Sequence, residues 1–401
     1  MANQLLTISM ITREALRVLV NNLVAANHVE RQYDDYYGKV GAKIGNVLNI
    51  RKPPRFTRTD GQGLQLQDVT ETSVPLVLTT QGQRSFTFSS QDLELNIDDF
   101  SKRFVKPAVA SLANQVDFDV LQRYIDVYQF VGVPGTTPNA LLTYLQAQQA
   151  LNNAAAPDDD ERYVIINPAA QAVIVDALKG LFQSSSEISQ QYKRGKMGTT
   201  IGAEWYMDQN VASQTLGTFG GTPTTLTTGS PQTGASLQVV ALASTGTVLQ
   251  GDIFTIANVF SVNPQNFQST GVLQQFVATA SGTASGGALT IPISPSIITS
   301  GPFQTVTAAP ATSAAITFYG AASTVSPQNL LFHKEAFALA CADLPIPGGV
   351  DMAERISDKE LGLSIRLIRA YDINQDRFPL RLDFLYGTAT LYPQLACRIG
   401  G

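Results

Sequence analysis

Apolar residues recur at helical spacing over residues 9–29. Leu16, Val20, Leu23 and Val24 share one face there, and Thr12 stands where an N-cap belongs. Residues 62–95 then change to period two. Val74, Leu76 and Leu78 alternate, as do Phe86 and Phe88, and Gln81-Gly82-Gln83 between them reads as a turn. The pattern predicts a long β-hairpin with few charges and little nearby sequence to cover it; such a hairpin finds a partner chain.

Residues 97–129 carry the longest helical stripe: Phe100, Phe104, Leu112, Val116, Leu121 and Ile125, with Asn96 or Asp98 as cap. About 30 residues at ~1.5 Å each span ~45 Å. Pro107 should kink this helix or mark its true start. Two further helices are expected with proline at the first position, after Thr137 and after Asn167. The strand Tyr163–Ile166 leads directly into the second, a strand–helix unit of a mixed α/β body. Towards the end, Leu363, Ile365 and Leu367 alternate, followed by Leu380, Leu382, Phe384 and Tyr386, which predicts more strands.

Charge divides the chain. Between Val211 and Leu330 a single charged side chain occurs, Asp252, where the chain average of 15% predicts about 18. Thr, Ser, Gly and Gln fill this tract between β-branched runs, too apolar for a disordered linker and too rich in hydroxyls for a membrane span. It reads as an all-β module inserted between two halves of one α+β body. Residues 39–58 are the opposite case, with Lys39, Lys43, Arg51, Lys52, Arg55 and Arg58 and no acid, broken by Pro53 and Pro54. This basic arm can touch phosphates, but in a chain of net charge −5 pairing with acidic patches on a neighbouring subunit is favoured.

Length and apolar fraction fit two or three globular units. Cys341 and Cys397 make no disulfide framework and are expected to be buried thiols of a cytosolic protein. Arg13, Glu14 and Arg17 interrupt the stretch that a signal peptide would need. No catalytic constellation emerges. His28 and His333 lie outside any motif, and the glycine-rich stretch 195–202 lacks the phosphate-loop spacing. The acidic run 158–161 lacks alternating calcium-ligand spacing and is expected to be a solvated loop. Catalytic, cofactor and metal residues are therefore all expected to be none.

The order of these parts resembles the major capsid proteins of tailed phages, which have the Hong Kong ninety-seven type fold. Inside the neutral tract, residues 251–257 (Gly-Asp-Ile-Phe-Thr-Ile-Ala), Val262-Asn263-Pro264, residues 268–271 and residues 273–277 resemble the inserted β-barrel of podoviral coat proteins of the P-twenty-two type. Met1-Ala2-Asn3, Leu6-Thr7 and residues 205–210 resemble that family too. The resemblance implies an α+β capsid fold with an inserted all-β barrel. It places an N-terminal arm at 1–44, an extended loop (the E-loop) at 45–95, a spine helix at 96–130, the P and A domains at 131–225 and 330–401, and the insertion at 226–329. It implies a homo-oligomer of hexamers and pentamers, assembled in the bacterial cytoplasm with a scaffolding protein. A portal protein would admit double-stranded DNA, and no membrane would be involved. The basic residues of the arm, with Phe86 and Phe88, are the candidate inter-subunit contacts. With Asp252 as its one charge, the insertion is not expected to bridge capsomers through ion pairs. An encapsulin-like compartment, a surface adhesin or S-layer module, and an enzyme are the alternatives from other classes.

Overall fold

The computed structural model describes residues 8–31, 47–64, 66–89, 104–178, 198–226, 231–357 and 363–400. The chain divides into two bodies. The first is formed by residues 1–50, 73–121 and 337–391, the second by 51–72, 122–336 and 392–401.

The first body is organised by one long strand, Arg377–Thr390. It pairs antiparallel with Phe337–Ala342, with Ser364–Arg369 and with Thr80–Ser89, while Met352–Ser357 extends the sheet beyond Ser364–Arg369. The alternating apolar positions expected at 363–386 hold: Ile365, Leu367, Leu382 and Phe384 are all buried. The hairpin does not form as the sequence predicts. Gln81-Gly82-Gln83 lies inside the strand Thr80–Ser89, and that strand pairs with Arg377–Thr390. Gly82 stands opposite Phe384, and a Cβ there would sit 3.1 Å from the Phe384 ring. The glycine makes room for an aromatic across the ladder, so it does not mark a turn. Thr72–Val77 pairs instead with Val47–Lys52, and residues 53–71 connect them.

The first helix spans Ile8–Asn22, so Thr12 is an interior, fully buried residue and not the N-cap. The apolar spacing simply continues one turn upstream. Ala15, Leu16 and Leu19 are buried, and the helix packs on the long helix Lys106–Leu121. That second helix has 16 residues, about 24 Å. Pro107 is the second residue of this α-helix, and Phe104 and Val105 just before it are π-helical. A 3-10 turn, Gln122–Asp126, continues the apolar stripe without continuing the α-helix. Asn96, Asp98 and Phe100 lie outside the described residues.

Asp117, buried on the long helix, accepts hydrogen bonds from the backbone N–H groups of Val24 (2.7 Å) and Ala26 (2.8 Å). Those donors lie at the end of the first helix and in the 3-10 turn that follows it. Replacing Asp117 by Ala leaves them without this acceptor, a cost of about 1–3 kcal/mol. Urea unfolding of D117A should show a lower midpoint, with faster amide exchange at Val24 and Ala26. An unchanged midpoint and unchanged exchange would show that Asp117 does not hold this segment.

In the second body a six-stranded sheet joins early and late parts of the chain. Its order is Phe130–Val131, Ala396–Ile399, Asn329–His333, Arg162–Ile166, Ala203–Met207 and Thr199–Thr200. The expected strand–helix unit is present: Arg162–Ile166 runs into the helix Pro168–Leu178, and the Asn167 side chain caps Ala170 N–H at 2.9 Å. The other proline-led helix begins later, at Leu141, because Pro138 lies in the chain before the extended N-cap Ala140. Tyr144, Leu151, Ile166, Ile174, Trp205 and Ile399 share the core beneath these helices.

The uncharged tract is strand and loop among its described residues. Six strands follow the order Ile316–Phe318, Ile253–Val262, Ser269–Ala278, Leu289–Ile297, Gly234–Leu242 and Gly221–Thr225. The two end strands meet: Thr224 bridges Ala315, and Thr225 N–H donates to Ala314 C=O at 2.9 Å. The sheet therefore closes into a barrel through these contacts. Phe254, Phe276, Leu237, Val239, Ile291 and Ile293 fill it.

Candidate assembly surfaces and the buried charge node

The lone charge of the neutral tract is fully buried. Asp252 accepts hydrogen bonds from Leu249 N–H (2.7 Å), Gly217 N–H (3.1 Å) and Gln214 Nε2 (3.4 Å). Gly217 is required by space: a Cβ would lie 2.2 Å from Thr247 O and 2.8 Å from Asp252 Oδ2. Arg398, equally buried, donates to Val127 C=O (2.7 Å) and Gly251 C=O (2.8 Å), and its guanidinium lies 5.3 Å from the Tyr124 ring. Tyr124 O–H donates to Gln214 Oε1 at 2.7 Å, which links the two charges into one network.

Burial pushes the Asp252 carboxyl up to about 6, against the backbone donors and Arg398 that pull it down. Burial likewise pulls Arg398 down to about 10. A carboxyl raised above its unfolded value binds its proton more tightly when folded. Its ionisation therefore destabilises the fold above pH ~6, and the penalty is relieved as pH falls towards ~4. D252N removes this ionisation. The stability difference between wild type and D252N, from urea midpoints of the intact chain, should shift in favour of wild type by roughly 1 kcal/mol between pH 7 and pH 5. A difference that does not move with pH would contradict the assignment.

Of the expected contact residues, Lys39 and Lys43 lie outside the described residues. Arg51 and Arg58 are exposed but face acids on their own loop, Glu71 at 3.7 Å and Asp60 at 3.0 Å. Lys52 lies 4.9 Å from the Tyr392 ring, where burial lowers its pKa, and Arg55 lies 5.9 Å from the Phe303 ring. Phe86 and Phe88 pack on Phe104, with centroids 6.3 and 4.8 Å away. The four described cations of the arm thus have internal partners, and the phenylalanines belong to an internal aromatic cluster.

Sequence reading passes over the more open surface. On the loop 53–71, Leu64 and Leu66 are 88% and 86% exposed, and Phe56 and Val69 are also exposed. Gln67 holds the loop's limbs together through Thr57, accepting from its N–H at 2.9 Å and donating to its C=O at 2.6 Å. The Gly-Leu-Gln-Leu-Gln alternation at 63–67 is the signal that was available.

The acidic run does form a cluster. Asp159, Glu161 and His333 come close enough to hold an ion. Glu161, however, already faces the Lys334 ammonium at 3.0 Å. His333 Nδ1 accepts Glu335 N–H at 3.3 Å, so Nε2 carries the hydrogen it donates to Asp159 at 3.0 Å. These contacts brace the loop.

The chain matches the family described as P22 coat protein, gene protein 5, over residues 1–400, and it belongs to that family. It is a major capsid protein of the shell-forming phage class, with the α+β capsid fold, and a homo-oligomeric component of the virion. No curated protein matches it. Among solved structures it is similar to the capsid of Ralstonia phage GP4, at 8% identity and TM-score 0.48, covering 94% of this chain and 87% of that one. It is similar to a structure from Mycobacterium phage Che8, at 12% identity and TM-score 0.46, covering 94% and 90%. The capsid of cyanophage P-SCSP1u is similar at 10% identity and TM-score 0.45, covering 94% and 88%.

Proposed function

We propose that this coat subunit builds its shell chiefly through the loop 53–71, within the part expected to be the E-loop. The observation that carries the reading is the exposure of Leu64 and Leu66 on a loop whose limbs are fixed by the Gln67–Thr57 clamp. An apolar tip held in water by its own fold gains by docking on another subunit. The basic residues Arg51, Lys52, Arg55 and Arg58 orient this loop, and Lys39 and Lys43 are proposed as further inter-subunit contacts from the sequence alone. Hexamers and pentamers then close an icosahedral shell around double-stranded DNA in the bacterial cytoplasm, with a scaffolding protein directing curvature and a portal admitting the genome. The arm at 1–44, the spine at 96–130, the P and A domains at 131–225 and 330–401 and the insertion at 226–329 serve as the parts of that tile. The closed barrel supports the insertion reading. Family membership lends nothing to the cargo-compartment alternative or to an enzymatic role.

Changing Leu64 and Leu66 together to Ser should leave the unfolding midpoint within experimental error. It should also cut the yield of shells seen by electron microscopy at least tenfold. Normal shell yield from this variant would sink the loop as the main contact. Replacing Arg51, Arg55 and Arg58 by Ala should hinder assembly more at low than at high salt, because exposed charges are screened. A defect independent of salt would exclude an electrostatic role for them.

A further inference from the structure

Three times this fold grips a peptide group with one glutamine. Gln275 accepts Phe130 N–H at 2.7 Å and donates to Phe130 C=O at 2.8 Å. Gln67 does the same to Thr57, and Gln232 to Gln238 at 2.6 and 3.1 Å. Each carboxamide makes both hydrogen bonds that a neighbouring strand would make, without introducing charge.

Gln275 forms part of the wall of an open groove of about 470 Å3 in the second body, between the barrel and the helix Leu141–Asn153. That volume falls in the range of built binding sites, about 300–1,000 Å3. Further glutamines line it. Gln146 and Gln149 stand one turn apart on the helix, and Gln394 lies opposite in sequence near the C-terminus. The side chains of these three make no hydrogen bond among the described residues, and the buried Oε1 of Gln129 on the same wall accepts none. Arg55 is the single charged residue among the described lining. Such a surface suits an extended backbone with apolar side chains and at most an acidic one.

We propose that this groove receives the loop tip, residues 63–69, of a second copy of the chain. The tip is complementary in charge: residues 63–69 hold Asp68 and no base, against the groove's Arg55. Its exposed Leu64 and Leu66 alternate with glutamine, so one face offers leucines to the apolar wall while the backbone meets the free carboxamides. This inference rests on the shell reading above and gives its loop a specific receptor.

The test uses full-length chain carrying both L66C and Q149C, assembled into shells confirmed by electron microscopy and treated with a short bismaleimide. Denaturing gels should show a ladder of inter-chain products in the double variant. The single variants and unassembled protein should show none; native Cys341 and Cys397 are buried. Shells that yield only monomer, or a fast-migrating intra-chain product, overturn the groove assignment while leaving the shell reading intact. If the cysteines block assembly, a photo-crosslinker at position 66 in otherwise native shells replaces them, with isotopically mixed subunits. Adducts to residues 129–153 or 394 of the other isotope support the assignment. Adducts elsewhere, or to a different protein, overturn it.

Discussion

The second body depends on one constraint: two opposite charges are buried near each other and neither can be left without partners. Asp252 belongs to the barrel and Arg398 to the last strand of the six-stranded sheet, 146 positions on. Taking an ion out of water costs several kcal/mol even after relaxation. Here the surroundings return much of that through Leu249, Gly217 and Gln214 on one side and Val127 and Gly251 on the other. Those partners come from the segment after the long helix, the approach to the barrel and the barrel itself. Moving any of these segments would strand a charge. The node therefore fixes the register between barrel and sheet more strongly than apolar packing, which tolerates sliding.

With its one charge committed inside, the barrel meets water through neutral groups. The rest of its cohesion is hydrogen bonding of the kind threonine and glutamine provide. Thr225 links two strands through its hydroxyl as well as its backbone, accepting from Ala314 N–H and donating to Ala311 C=O. The glutamine clamps extend the same logic, each acting as a one-residue strand. Neutral hydrogen bonds change little with ionic strength, whereas exposed ion pairs are screened within about 10 Å at 0.1 M salt. A particle that encloses a polyanion and passes between ionic environments benefits from contacts of the first kind.

Period-two and period-3.6 patterns located most elements but not their partners. Alternation at 72–89 marked strands correctly; it carried no information that Thr80–Ser89 would pair with a strand some 300 residues later. Gly82 was misread for the same reason, since its meaning lies in the Phe384 ring across the ladder. The long helix was read past its C-terminal end because a 3-10 turn preserves the apolar stripe for another five residues. Asp252 was visible as an anomaly of composition, yet nothing local pointed to Arg398. The uncovered character of residues 62–95 was expected, but which side chains stay open was not: alternation shows which share a face, and only the fold shows that Leu64 and Leu66 are left exposed.

That open face also explains why the loop must be braced. A flexible leucine-bearing loop would collapse on its own subunit or on any passing chain, and its ordering entropy would be lost again at every contact. Gln67 closes the loop onto Thr57 beforehand, so less ordering is left to a proposed contact with another copy. In a closed shell each such contact repeats many times, and a small pre-ordering gain per copy multiplies across the particle. The contact can then stay weak enough for misplaced subunits to leave, which error-free closure requires. A tip that docks mainly through leucines and backbone hydrogen bonds would serve that end better than a set of strong ion pairs.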